Sequence, residues 1–75
     1  MRRVRLRLKE IMEQRGLTQI QLSELSGVRQ SAISEMSRNI REQISLIHLA
    51  KLADALNIDD INEFLVIEND GSRSD

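Results

Sequence analysis

Gln30, Ser31, Ser34 and Glu35 fall at helical spacing on the side opposite Ile33 and Met36. Their side chains match the polar edges of nucleobases. A glutamine amide bonds N6 and N7 of adenine together, a serine hydroxyl donates or accepts, and a carboxylate accepts from N4 of cytosine. By themselves the four residues read more simply as the polar face that any amphipathic helix turns to water. Arg29, Arg38 and Arg41 bracket the same segment. A guanidinium pairs with phosphate, and Arg29 can also bond O6 and N7 of guanine. For Arg38 and Arg41 an ordinary surface charge is an equal reading. Thr18 and Gln19 open an upstream helix, whose N–H groups and partial positive charge suit an anion. A plain helix cap is the alternative there, and the two readings are compatible. Catalytic chemistry has no such foothold. His48 is the single histidine and there is no cysteine, so no metal spacing exists. Asp59 and Asp60 read as helix caps rather than paired catalytic carboxylates. No nucleophile–base–orienter set and no glycine-rich phosphate loop is present. The expectation is a protein that is not an enzyme, with no cofactor and no metal.

The elements that must position these residues come from the stretch TQIQLSELSGVRQSAISEM, residues 18–36. Thr18 can cap a helix over 19–26 by accepting from the Gln21 N–H, while the Gln21 side chain reaches back. Leu17 and Leu22 are placed for a hydrophobic staple. Gly27 supplies the positive φ that ends the helix. Val28, Ile33 and Met36 give a second helix, over 30–37, an apolar seam at helical spacing. Two helices joined by so tight a turn form a helix-turn-helix, whose second helix can enter the major groove of DNA.

The flanking chain supplies a support. Leu8, Ile11 and Met12 predict a first helix over 8–14, ended by Gly16. Ser45 can cap a fourth helix over 46–56, with Leu46, Leu49, Leu52, Ala53 and Leu56 on its apolar face and Asn57 at its end. Asp59 is placed to cap a last short helix over 60–64. Val4, Leu6 and Leu8 alternate with arginines, and Phe64 to Ile67 form a β-branched apolar run. These favour an antiparallel strand pair of residues 3–6 and 65–68 over a helix running unbroken from Val4. Arg2, Arg3, Arg5 and Arg7 are then expected to keep the strand in water. His48 is expected to be exposed on the fourth helix. A polar tail begins at residue 69, and its GSRS portion has the composition of a cloning scar.

Seventy-five residues make one small domain. Without cysteine no disulfide can help, and Phe64 is the sole aromatic, so the core must be aliphatic. No apolar run reaches bilayer length and no secretory leader is visible, so a reduced, cytoplasmic setting is expected. The net charge of −1 hides an asymmetry: residues 1–41 carry +5 and residues 42–75 carry −6. The basic part contains the helix-turn-helix, and phosphate neutralisation depends on local charge, not on the total.

The stretches LRLKEIMEQRGLTQ, LSELSGVRQSAISEM and ISLIHLAKLADALNI followed by DDINEFL resemble the lambda-repressor-like (Xre, or Cro-and-repressor type) helix-turn-helix regulators of bacteria and phage. Leu8, Gly16, Leu22, Gly27, Val28, Ile33, Leu49, Leu52 and Leu56 fit without a gap. The resemblance covers residues 1–68. It implies an all-α, compact five-helix DNA-binding domain, and some members add a terminal strand pair. It implies that Gln30, Ser31, Ser34 and Glu35 face the major groove, with Gln30 and Ser31 the stronger candidates, and that Gln19 contacts a phosphate. Asn39 stands where the family often has glycine, and Asn tolerates the left-handed conformation. The implied function is sequence-specific binding of double-stranded DNA by a small transcriptional repressor, a homodimer on a palindromic operator. There are departures. Arg29 replaces the usual small hydroxyl cap of the third helix, Ser26 an apolar or small buried residue, and Ile20 and Leu25 polar ones. Two alternatives follow: an antitoxin-type autorepressor whose acidic part binds a toxin, or a protein-interaction module that has lost DNA binding.

Overall fold

The computed structural model describes residues 1–40 and 42–69. In chain order they form β1 (Arg2–Leu6), α1 (Leu8–Arg15), α2 (Gln19–Ser26), α3 (Gln30–Ser37), α4 (Leu46–Leu56), a single 3-10 turn (Ile61–Glu63) and β2 (Leu65–Asn69). Leu8, Leu22, Ile33, Met36, Leu52 and Leu56, at most 1% exposed, form the centre, and Phe64 closes it at 2%.

Local chemistry ends α1, α2 and α4 at the stop residues the sequence offers, with α1 running to Arg15, one residue beyond the expected 8–14. Gly16, Gly27 and Asn57 are left-handed, with φ of 64°, 78° and 56°. Thr18 and Gln21 form the reciprocal capping box, and the Ser45 hydroxyl accepts from the His48 N–H at 3.2 Å.

Two expectations at the C-terminal side need correction. The fifth helix over 60–64 is one 3-10 turn, so the described residues hold four α-helices. Its cap is Asp60, whose carboxylate accepts from the Asn62 N–H at 2.9 Å, not Asp59. The reason is Phe64. Its buried ring holds the chain against the core, and its C=O accepts from the Arg7 N–H at 2.7 Å. The chain is therefore already in the sheet before a full α-turn can form. Leu46, expected on the apolar face of α4, is 80% exposed. It occupies the first position of the helix, on the open rim of a hollow of about 270 Å³ between α4 and the 3-10 turn.

The strand pair forms, with one more residue at the outer end of each strand than the sequence suggested. Arg2 pairs with Asn69, Val4 with Ile67 and Leu6 with Leu65, antiparallel. Asn69, where the tail was expected to begin, is thus the last residue of β2; residues 70–75 lie outside the described residues. Arg5 does more than keep the strand in water. It bonds Glu10 on α1 at 2.8 Å and Glu68 on β2 at 3.1 Å. Its hydrogen bond holds the Glu10 carboxyl below the ordinary carboxylate value, and Glu10, then Glu68, raise Arg5 further. A second tie comes from Asn39, left-handed at φ 57° just beyond α3. Its amide accepts from the Leu6 N–H at 2.7 Å and donates to the Leu6 C=O at 3.0 Å. One side chain thus imitates a neighbouring strand at the outer edge of β1.

Candidate nucleic-acid interface

α3 divides cleanly. Ala32, Ile33, Met36 and Ser37 are buried, and the Ser37 hydroxyl donates to the Ser34 C=O at 2.9 Å. On the other side Gln30 and Ser31 are exposed at the first turn, while Ser34 and Glu35 are half-buried further along. The structure therefore groups the four candidates on one face but grades their access, with the helix start fully open.

The joint between α2 and α3 is set by backbone chemistry. Gly27 donates to the Ser23 C=O at 2.9 Å. Ser26 is half-buried, and its hydroxyl accepts from the Val28 N–H at 3.1 Å. That bond explains a departure from the family pattern: a hydroxyl at Ser26 satisfies an amide just ahead of α3. Arg29 is the N-terminal boundary residue of α3 and makes no side-chain cap. Only its C=O serves the helix, accepting from Ala32 and Ile33 at 3.1 and 3.2 Å. Its exposed guanidinium is thereby left to the surface. Ile20 and Leu25, the other departures, are 56% and 62% exposed on α2.

The N-terminus of α2 opens on a hollow of about 220 Å³. Gln19 lines it from α2, Arg38 from the end of α3, and Lys9 from α1. Arg38 is oriented by a bond from its Nε to the Ser34 C=O at 3.4 Å. Two cationic side chains and a helix start thus share one concavity, the arrangement an anion favours. Glu13 lines the same hollow and opposes an anion. Thr18 is exposed beside it, its hydroxyl already engaged by the Gln21 N–H at 3.1 Å. Lys9 escaped the sequence reading because a lysine in an amphipathic helix carries no local mark distinguishing an anion partner from water. Arg41 lies outside the described residues.

His48 departs from its expected exposure. It is half-buried, and its Nδ1 is enclosed without a hydrogen-bond partner among the described residues. It stands one turn before Leu52 on α4, so it flanks the buried stripe rather than facing water. No described helix is long and apolar enough to cross a membrane.

A family model described as helix-turn-helix matches residues 8–60, more than half of the chain. No curated protein and no solved structure matches it. The matched span takes in all four α-helices and leaves β1 and β2 outside.

Proposed function

The chain belongs to the helix-turn-helix family of the lambda-repressor-like (Xre) type, and from that premise we propose that it is a sequence-specific regulator that binds double-stranded DNA with α3 in the major groove. Gln30 and Ser31 meet base edges from the open first turn of α3. Ser34 and Glu35 lie deeper and read bases only where the groove floor comes closest. Glu35 requires a cytosine N4 or distance from the backbone, because a phosphate repels it. Arg29 reaches a phosphate or a guanine edge, and Arg41 a phosphate. Gln19, Lys9 and Arg38 hold one phosphate at the hollow before α2, beside Thr18. Phosphate contacts fix the register and base contacts supply the specificity. The regulator acts as a repressor by occupying a palindromic operator as a homodimer, since one short recognition helix reads only a few base pairs.

The observation that carries this reading is the convergence of Lys9, Gln19 and Arg38 on the helix start next to the open face of α3. A second reading is favoured by the hollow between α4 and the 3-10 turn. Leu46, Ala50 and Ile61 line it and Asp59 and Asp60 border it, which suits a basic protein partner of an antitoxin-type autorepressor.

Titration of binding to random duplex DNA against salt tests the proposal. Affinity falls steeply, with a slope of about −0.9 in log–log terms for each phosphate neutralised. Arg38→Ala flattens that slope by about one contact. A protein that fails to bind at low salt is an interaction module instead. Selection from a random duplex library then gives the operator.

A further inference from the structure

A positive φ is met at least cost by glycine, which has no Cβ. Asn39 meets it at φ 57° and adds what glycine cannot. Its amide accepts from the Leu6 N–H at 2.7 Å and donates to the Leu6 C=O at 3.0 Å. This clasp joins the end of α3 to the end of β1. Each of its two ends is close in sequence to one cation of the hollow before α2. Arg38 is the residue before Asn39, and Lys9 follows Leu6 by three residues, in the first turn of α1.

Both cations ride on firm local structure leading away from the clasp. On the α3 side the Asn39 N–H donates to the Met36 C=O at 3.2 Å, the Ile40 N–H to the Glu35 C=O at 3.3 Å, and Arg38 Nε to the Ser34 C=O at 3.4 Å. On the α1 side the Arg7 N–H donates to the Phe64 C=O at 2.7 Å, and the Arg7 C=O accepts from the Ile11 N–H at 3.0 Å. Those bonds fix the turn that carries Lys9. Buried Met12 and Ser37 line the hollow between the two cations. Apolar packing brings α1 and α3 together, but it is non-directional and tolerates sliding. Two hydrogen bonds of defined length and angle do not.

We propose that Asn39 is a positioning residue for DNA binding: its clasp on Leu6 sets the gap between Lys9 and Arg38, so that both engage the same phosphate. The inference rests on the reading of this hollow as a phosphate site. Like charges in one concavity repel, and Glu13 in the same hollow offsets only part of that repulsion in the free protein. Without the clasp the end of α3 and the start of α1 move apart, and a phosphate meets one cation instead of two.

Binding of the full chain to random duplex DNA is measured against salt, at a temperature where circular dichroism shows every variant folded. Lys9→Ala and Arg38→Ala are each expected to flatten the log–log slope by about 0.9, the value for one phosphate contact. If either leaves the slope unchanged, the two cations share no phosphate, and that reading falls together with this proposal. Asn39→Gly keeps the positive φ, removes the clasp and changes no charge. It is expected to flatten the slope nearly as far as Arg38→Ala, and the double variant is expected to be no flatter than Arg38→Ala alone, whereas independent sites would add. A wild-type slope for Asn39→Gly, with both cation variants flattened, overturns the proposal and leaves the phosphate site standing. So does full additivity in the double variant. A merely structural role lowers the melting temperature of Asn39→Gly and leaves the slope of the folded protein where it was. Should Asn39→Gly fail to fold, hydrogen exchange in the wild-type chain decides. Coupling is reciprocal, so a phosphate held through the clasp tightens the clasp. Duplex DNA is then expected to slow exchange of the Leu6 amide more than that of the Asn62 amide, which bonds Asp60 at 2.9 Å on the 3-10 turn. Equal slowing at both, or none at Leu6, overturns the proposal.

Discussion

Gln30 occupies the most open turn of α3, and nothing in the fold depends on its side chain. Gln30→Ala is therefore expected to leave the melting transition unchanged and to cost about 1–3 kcal/mol on the preferred site, with relaxed preference at one position in each half-site. Binding to a panel of single-base operator variants measures both; equal affinity for the whole panel before and after substitution removes Gln30 from the interface. Single residues were also where the sequence was least legible. Thr18, Gly16, Gly27 and Asn57 could be placed because caps and positive φ belong to the residue itself and its immediate neighbours. Lys9, Arg5 and Asn39 have roles set by partners distant in sequence: Arg5 bonds Glu68, 63 residues away, and Asn39 bonds Leu6, 33 residues away. No local pattern carries that information.

At the scale of elements, α3 is fixed from below by Ile33 and at its end by Asn39. Ile33 is fully buried. Ile33→Asp is expected to abolish cooperative thermal unfolding along with binding, because the carboxylate would be enclosed with no partner. A sharp transition near the wild-type temperature would place Ile33 outside the core. Asn39 carries two separable burdens, a left-handed backbone and the clasp on Leu6. Asn39→Ala is expected to lose about 2–4 kcal/mol of stability, from positive φ on a residue with a Cβ and from the unsatisfied Leu6 groups. Asn39→Gly relieves the backbone part and keeps only the second loss. Denaturant unfolding of both variants checks the order, and equal losses would show that the clasp alone matters. Helices with an apolar stripe of two turns or more were legible; the last short one was not. Over 60–64 the helical pattern is too brief to outweigh Phe64, whose burial and bond to Arg7 draw the chain into β2.

Across the whole molecule, Arg5 joins the sheet to α1 through Glu10. The Glu10 carboxyl is depressed by its hydrogen bond to Arg5. A depressed carboxyl adds stability that is present above its unfolded value, about 4.3, and is lost as pH falls through the folded one. Glu10→Gln is expected to lower the melting temperature slightly near neutral pH, by an amount that shrinks with added salt because both partners are partly exposed. The gap between wild type and variant closes as the pH falls below about 4. Melting curves collected from pH 2 to pH 8 decide it; a gap that widens toward acid contradicts the sign. The strand pair itself was legible from alternation at one end and β-branching at the other, but its grip on the helices was not, since that grip consists of long-range side-chain bonds. The closure of the sheet also has a consequence for biosynthesis. β1 is made before β2, and Arg5 and Glu68 are separated by 63 residues. At about 5–20 residues per second, β1 waits roughly 3–13 s for its partner. During that interval the nascent chain can assemble the four helices that lie between the strands while Leu6 has no mate, so the ribbon closes after them, and a ribosome paused before Leu65 would hold the chain with β1 still open to capture by a neighbour.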